Sequence, residues 1–196
     1  MAEQDIICVL IAYFFGGICS GYYLVRFKAN LDIRDYGSGG VGARNVGRVL
    51  GKSGFIVTLL LDSLKGITAI LLARWLDLTE PAVSFVLIAV TAGHIWPLFL
   101  HFRGGRGVST AIGAYLVYDY SLALLLLAIT LILTIFQRDF IINGLAAFML
   151  LPLAAYALEL PGYQIITSAG VSVIILYAHR RHICKKFAEL LKKKES

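Results

Sequence analysis

Seven apolar stretches take up most of this chain, and they restrict it to folds built in a lipid bilayer. A membrane-crossing helix needs about 20 mostly apolar residues, and residues 5–27, 54–74, 82–100, 139–158 and 162–179 each come to about that length. A further apolar block at 107–137 is too long for one crossing. Asp119 and its tyrosine neighbours divide it into a short piece, 108–118, and a fuller one, 120–137. Only 15% of the 196 residues are charged and 59% are hydrophobic, where ordinary soluble domains carry roughly 25% charged residues. The expected fold class is an all-α integral membrane protein of about seven segments, one of them short and embedded among the others. The length allows a single domain over 1–183, followed by a basic tail at 184–196. Residues 1–5 carry acids where a cleavable signal would have its basic region, so the first apolar stretch is expected to remain as a span.

The charges orient this bundle. With the N-terminus outside, the connections at 28–53, 101–107 and 138 fall inside together with the tail, and every Lys and Arg except Lys65 and Arg74 lies in or beside those regions. The outer connections carry Asp77, Glu80, Asp119 and Glu159 instead. The positive-inside rule then places the C-terminus in the cytoplasm. A net charge of +6 concentrated in this way leaves no soluble basic domain, so no nucleic-acid partner is expected. The tail combines basic residues with Phe187, Ala188, Leu190 and Leu191, which reads either as a short amphipathic helix on anionic lipid or as a simple topology anchor. Cys8 and Cys19 stand about 16 Å apart along one helix and cannot pair. Cys184 lies in the tail, and all three thiols read as inert.

Two glycine-arginine loops fall on the same side. The first is Gly37-Ser-Gly-Gly-Val-Gly-Ala-Arg-Asn-Val-Gly-Arg48, the second Arg103-Gly-Gly-Arg-Gly-Val-Ser-Thr110. Successive backbone N–H groups in glycine-rich turns form nests for anionic oxygens, and arginine presents a fork of donors matched to phosphate. Gly37, Gly39 and Gly42 spell a dinucleotide fingerprint, but no strand precedes them and no βαβ unit fits. The run Gly47–Ser53 falls one residue short of a P-loop. What remains is an anion site at the bilayer surface, against the plainer alternative of a flexible loop touching lipid headgroups. Asp62 and Lys65, three apart in the second span, share a helix face; intramembrane charges mark function or a compensated pair. Gly66 would let another helix approach closely. His94 precedes the second loop in Gly-His-Ile-Trp-Pro, where Pro97 should bend or loosen the helix. His179 and His182 end the last span with no cysteine or carboxylate to complete a metal shell, so no metal or cofactor is expected.

Together these motifs resemble the bacterial acyl-phosphate-dependent glycerol-3-phosphate acyltransferases, over about residues 10–183. The resemblance runs through Gly37–Asn45 with Arg48-Val-Leu-Gly-Lys52, then Asp62 and Lys65-Gly66, His94-Ile-Trp-Pro97 and Arg103–Thr110. It departs from the family pattern at Gly40 (usually Asn), Arg44 (Thr), Arg106 (Lys) and His182 (Asn). The resemblance implies a multi-pass bacterial inner-membrane enzyme with its active site facing the cytoplasm. It would transfer a fatty acyl group from acyl phosphate to glycerol 3-phosphate, yielding lysophosphatidic acid and phosphate. Implied catalytic residues are Ser38, Arg106 and His179. Implied substrate-binding residues are Gly39, Gly42, Asn45, Arg48, Lys65, His94, Gly104, Gly105, Gly107 and Thr110. No histidine has an aspartate five residues later, so the coenzyme-A-dependent acyltransferase signature is missing. The alternatives are a non-catalytic or transporting membrane protein that binds a phosphorylated lipid precursor, and an acyltransferase with a different phosphorylated acceptor. No inverted repeat supports the transporter.

Overall fold

The computed structural model describes residues 2–195, with side chains described through Ala188. Among these residues the chain is helical throughout, with no strand: α1 (Glu3–Gly16), α2 (Ser20–Ala29), α3 (Ala43–Trp75), α4 (Glu80–Ile95), α5 (Val108–Tyr118), α6 (Tyr120–Phe136), α7 (Phe140–Ala157), α8 (Gly162–Ala178) and α9 (Arg180–Glu195). Among the described residues four stretches are long and apolar enough to cross a membrane, at Glu3–Ala29, Ala43–Trp75, Glu80–Leu100 and Phe140–Ala157. Three shorter apolar helices, α5, α6 and α8, fill out the bundle. The outside is apolar, with Leu60, Leu64 and Leu71 on α3 and Leu124, Leu127 and Leu131 on α6 all exposed. In a soluble protein so much exposed leucine would be a liability; here it is the face presented to lipid.

The centre is built on α4, which packs against α1, α3, α5 and α8. Because lipid tails are as apolar as leucine, helices in a membrane associate by close backbone packing, and small residues make that possible. Two glycine crossings do this work. A Cβ on Gly16 of α1 would land on the Val90 carbonyl of α4, and one on Gly93 of α4 would land on the Tyr13 carbonyl of α1. Likewise Gly66 of α3 abuts the Thr110 carbonyl of α5, and Gly113 of α5 abuts the Ser63 carbonyl of α3. The close approach expected at Gly66 is therefore present, with α5 as the partner.

Three boundaries differ from the sequence expectation. The span expected over 5–27 breaks at residues 17–19 into α1 and α2. The first loop ends earlier than its glycine content implies: α3 begins at Ala43 and runs into the second span, turning at Gly51, whose φ is +73°. The expected bend at Pro97 is instead a helix end. Trp96 leaves the helical region (φ −124°, ψ 64°), and a 3-10 turn at Leu98–Leu100 follows. The basic tail is helical from Arg180. At one end of the bundle Gln4 reaches the Leu76 carbonyl and Arg74 the carbonyls of Val117 and Tyr118. Both glycine-arginine loops and the start of α9 gather at the other.

Candidate active site

The first loop is shaped by one buried amide. Asn45, only 2% exposed, donates from Nδ2 to the carbonyls of Ile33, Tyr36 and Gly40 at 3.2, 2.8 and 2.9 Å. Its Oδ1 accepts from the Ser38 backbone N–H at 3.0 Å and from Arg48 Nη1 at 3.4 Å. Gly37 and Gly39 take left-handed conformations (φ +58° and +70°), and a Cβ on Gly37 would strike the Asn45 amide oxygen. The loop thus wraps the head of its own helix and leaves Ser38 exposed. Arg34 forks onto Asp32 at 2.6–3.2 Å and donates to the Leu100 carbonyl at 3.2 Å, tying this loop to the second. That fork holds the Asp32 carboxyl down at about 2.

The second loop is suspended from the end of α4. Gly104 N–H donates to the Ile95 carbonyl and Gly105 N–H to the His94 carbonyl, at 3.2 and 3.0 Å. Space for this exists only with glycine: a Cβ at Gly104 or Gly105 would collide with His94. The loops meet where Val41 N–H donates to the Gly104 carbonyl at 3.4 Å. Each then starts a helix on a glycine cap, Gly42 for α3 and Gly107 for α5, with no side chain capping either. A helix leaves its first N–H groups without intrahelical partners. Among the described residues, Ala43 and Arg44 on α3, and Val108, Ser109 and Thr110 on α5, find no acceptor for their backbone N–H groups. Two uncapped helix starts side by side concentrate positive potential for an anion.

Cations gather at the same place. Arg106 is partly buried, and its guanidinium is made less basic first by burial and then by Arg44 and Arg48, so the three arginines act on one another. A groove of about 270 Å³ runs beside them, lined by Arg44, Gly47, Arg48, Gly51, Lys52 and Phe55. His182 senses Arg106, Arg44 and Lys186, with Asp139 opposing them. Asp139 caps α7 and pairs with Lys186 at 2.9 Å. His179, 4% exposed, donates from Nδ1 to the Ile175 carbonyl at 2.9 Å, because a carbonyl can only accept. In that neutral tautomer its Nε2 is an acceptor, and among the described residues no hydrogen bond to it is found. Thr110 Oγ1 and His182 Nε2 are buried, and among the described residues neither finds a hydrogen-bond partner, so each leaves a polar atom open to a ligand or a water.

Of the residues expected from sequence, Ser38, Gly39, Gly42, Arg48, Gly104, Gly105, Arg106, Gly107, Thr110 and His179 come together at this end of the bundle. Asn45 builds the loop from within. Lys65 and His94 lie below, their polar contacts inside the protein. Arg44 and His182, two of the departures from the family pattern, add their basic side chains to the cluster, one helical turn from Arg48 and three residues after His179. Among the described residues no three His, Cys, Asp or Glu side chains group as a metal site.

Residues 6–189 match the family model described as glycerol-3-phosphate acyltransferase. The chain belongs to the glycerol-3-phosphate acyltransferase family. It is 42% identical to glycerol-3-phosphate acyltransferase 1 of Desulfitobacterium hafniense (strain Y51) over 179 residues, 91% of this chain and 89% of the relative. It is 39% identical to glycerol-3-phosphate acyltransferase 1 of Bacillus anthracis over 180 residues, 90% of this chain and 94% of the relative. Its fold matches the crystal structure of PlsY (YgiH), an integral membrane glycerol 3-phosphate acyltransferase, in the glycerol 3-phosphate form, with a TM-score of 0.86, 29% identity and coverage of 95% of this chain and 94% of that one. The acyltransferase fold thus places the two glycine-arginine loops at one end of the membrane bundle.

Proposed function

We propose that this chain, an acyltransferase by family, moves a fatty acyl group from acyl phosphate to the 1-hydroxyl of glycerol 3-phosphate, the first acylation of phospholipid synthesis. The observation that carries this reading is the pair of uncapped glycine-started helices, α3 and α5, joined through Val41 and Gly104 beside three arginines. Two phosphate groups need such a place, and a fatty tail needs the apolar bundle next to it. In this scheme Ser38 and the Gly39–Gly42 turn hold the donor phosphate with the start of α3, while Arg106, Thr110 and the start of α5 close on the phosphates from the other loop. Arg48 and His179 place glycerol 3-phosphate, with His179 Nε2 accepting from a glycerol hydroxyl. The hydroxyl oxygen attacks the acyl carbon; a new ester C–O bond forms, and the acyl-carbon bond to the phosphate oxygen breaks. The electron pair leaves with phosphate, whose oxygen takes the hydroxyl proton. Phosphate is already a good leaving group, so no acyl-enzyme is required, and catalysis rests on positioning and on donors aimed at developing charge.

The distribution of Lys and Arg supports a bacterial inner-membrane protein with this end facing the cytoplasm, the compartment that holds glycerol 3-phosphate. The test is a purified-protein assay with palmitoyl phosphate and labelled glycerol 3-phosphate, scored for lysophosphatidic acid and phosphate, with palmitoyl coenzyme A in a parallel arm. Product with the acyl phosphate alone supports the reading. Product only with the thioester overturns the donor, and product with neither overturns the function.

A further inference from the structure

The most strongly charged place in the interior lies beneath the anion site. Asp62, Lys65 and His94 are 1%, 6% and 3% exposed, in a part of the bundle where a charge is costly. Asp62 accepts from Ser20 Oγ at 2.8 Å and pairs with Lys65 Nζ at 3.3 Å. Lys65 Nζ also donates to the carbonyls of Gly16 and Ile18, both at 3.0 Å. These flank the break between α1 and α2. Its remaining contact is His94 Nδ1 at 2.7 Å. An ammonium only donates, so Nδ1 must be the acceptor and the ring proton sits on Nε2. One tautomer and one ring orientation are thereby fixed by Lys65.

That ring supports the second loop. A Cβ added to Gly105 would fall on His94 Nε2, while the His94 carbonyl already holds the Gly105 N–H. The loop therefore rests on the same residue by backbone and by side chain, one position before Arg106 and two before the Gly107 cap of α5. We propose that Asp62, Lys65 and His94 are positioning residues: together they hold the imidazole as a fixed floor under Gly105 and so set the approach of Arg106 and the α5 start to the first loop. This rests on reading the two loops as the phosphate site. A cluster kept only for packing would work as well with any residues that fill the volume; a floor under the loop makes turnover depend on the fit between His94 and residue 105.

That dependence has a distinctive signature. In the purified full-length protein, Gly105→Ala should lower kcat at least about tenfold, because the methyl and the ring claim the same space and a displacement of about 1 Å at a site is enough for such a loss. His94→Ala should lower kcat comparably. In the His94→Ala/Gly105→Ala double variant the methyl enters the vacated space, and kcat should exceed that of Gly105→Ala at least about threefold, a coupling expected of contacting residues. In all three, KM for both substrates should change less than kcat. Neither substitution strands a charge, since Lys65 and Asp62 stay paired, and thermal midpoints in detergent verify that the variants are folded. A folded Gly105→Ala with wild-type kcat, or a double variant no faster than Gly105→Ala, would overturn the proposal. A phosphate-induced rise in the wild-type midpoint tests the phosphate site separately. If that rise is absent, it is the site assignment beneath the proposal that has failed.

Discussion

Burial, and after it the charges of Arg44 and Arg48, make the Arg106 guanidinium less basic than usual, so without an anion three arginines share one face and repel. Removing one of them relieves that repulsion while deleting a phosphate contact. Arg106→Ala should therefore lower kcat/KM by about 100-fold or more, the scale of one lost transition-state donor, with a thermal midpoint equal to or above wild type. A midpoint that drops along with activity would show Arg106 to be a packing residue. His182 makes a pH prediction. Burial first, then Arg106 and Arg44, hold it below the usual imidazole range, against the pull of Asp139. A base depressed in the folded state stays neutral while the unfolded chain takes up its proton, so its contribution to stability diminishes as pH falls through about 6.5. A bound phosphate reverses the local field and favours the imidazolium. The ratio of wild-type to His182→Asn affinity for glycerol 3-phosphate should accordingly rise as pH is lowered from about 7.5 to about 6, near the imidazole range; a flat ratio counts against His182 at the site. The Asp62–Lys65 pair was legible in the sequence because its partners are three residues apart. The ties of Lys65 to His94 and to Gly16 span 29 and 49 residues, and no periodicity encodes them.

At the scale of helices, hydropathy gave the apolar segments reliably because lipid leaves a spanning backbone only helices and closed barrels. It missed the break after Gly16, since a Gly-Gly pair within an apolar run reads as continuous, and the freed carbonyls are satisfied by a lysine from another helix. It begins the second span at 54, well after the start of α3 at Ala43, because the glycines there read as loop; the buried Asn45 amide, gathering three carbonyls, makes that start possible. Glycine itself means opposite things at different positions. Gly66→Val would drive a branched side chain into the Thr110 carbonyl and push α5 from α3, so it should abolish both folding in detergent and activity, in line with the large costs of overpacking. Gly144 of α7 has nothing near a Cβ. Gly144→Ala should raise the thermal midpoint, from about 0.5–1 kcal/mol of helix preference, with unchanged turnover. If both substitutions were equally tolerated, the close α3–α5 crossing would be wrong.

For the whole molecule, the cysteines report which compartment the site faces. Cys184 is exposed on α9, near the same bundle end as Arg106 and His182, whereas Cys8 is half-buried and Cys19 buried in the first apolar segment. An impermeant maleimide should therefore report the orientation of α9 alone, and a Cys8→Ser/Cys19→Ser variant removes any ambiguity. If the basic connections face the cytoplasm, Cys184 should label in inside-out vesicles and stay unlabelled in intact spheroplasts. Labelling in spheroplasts would invert the bundle and put the arginine cluster on the far side from glycerol 3-phosphate. The positive-inside rule would then fail for a chain in which Lys65 and Arg74 are the only basic residues outside the proposed cytoplasmic regions. Lys65 needs no membrane surface, because its charge is paired with Asp62 within the bundle. Arg74 also has partners where it stands, the Val117 and Tyr118 carbonyls and Glu80. Both exceptions are thus held locally, and the remaining basic residues, which carry the two loops and α9, all favour the same side.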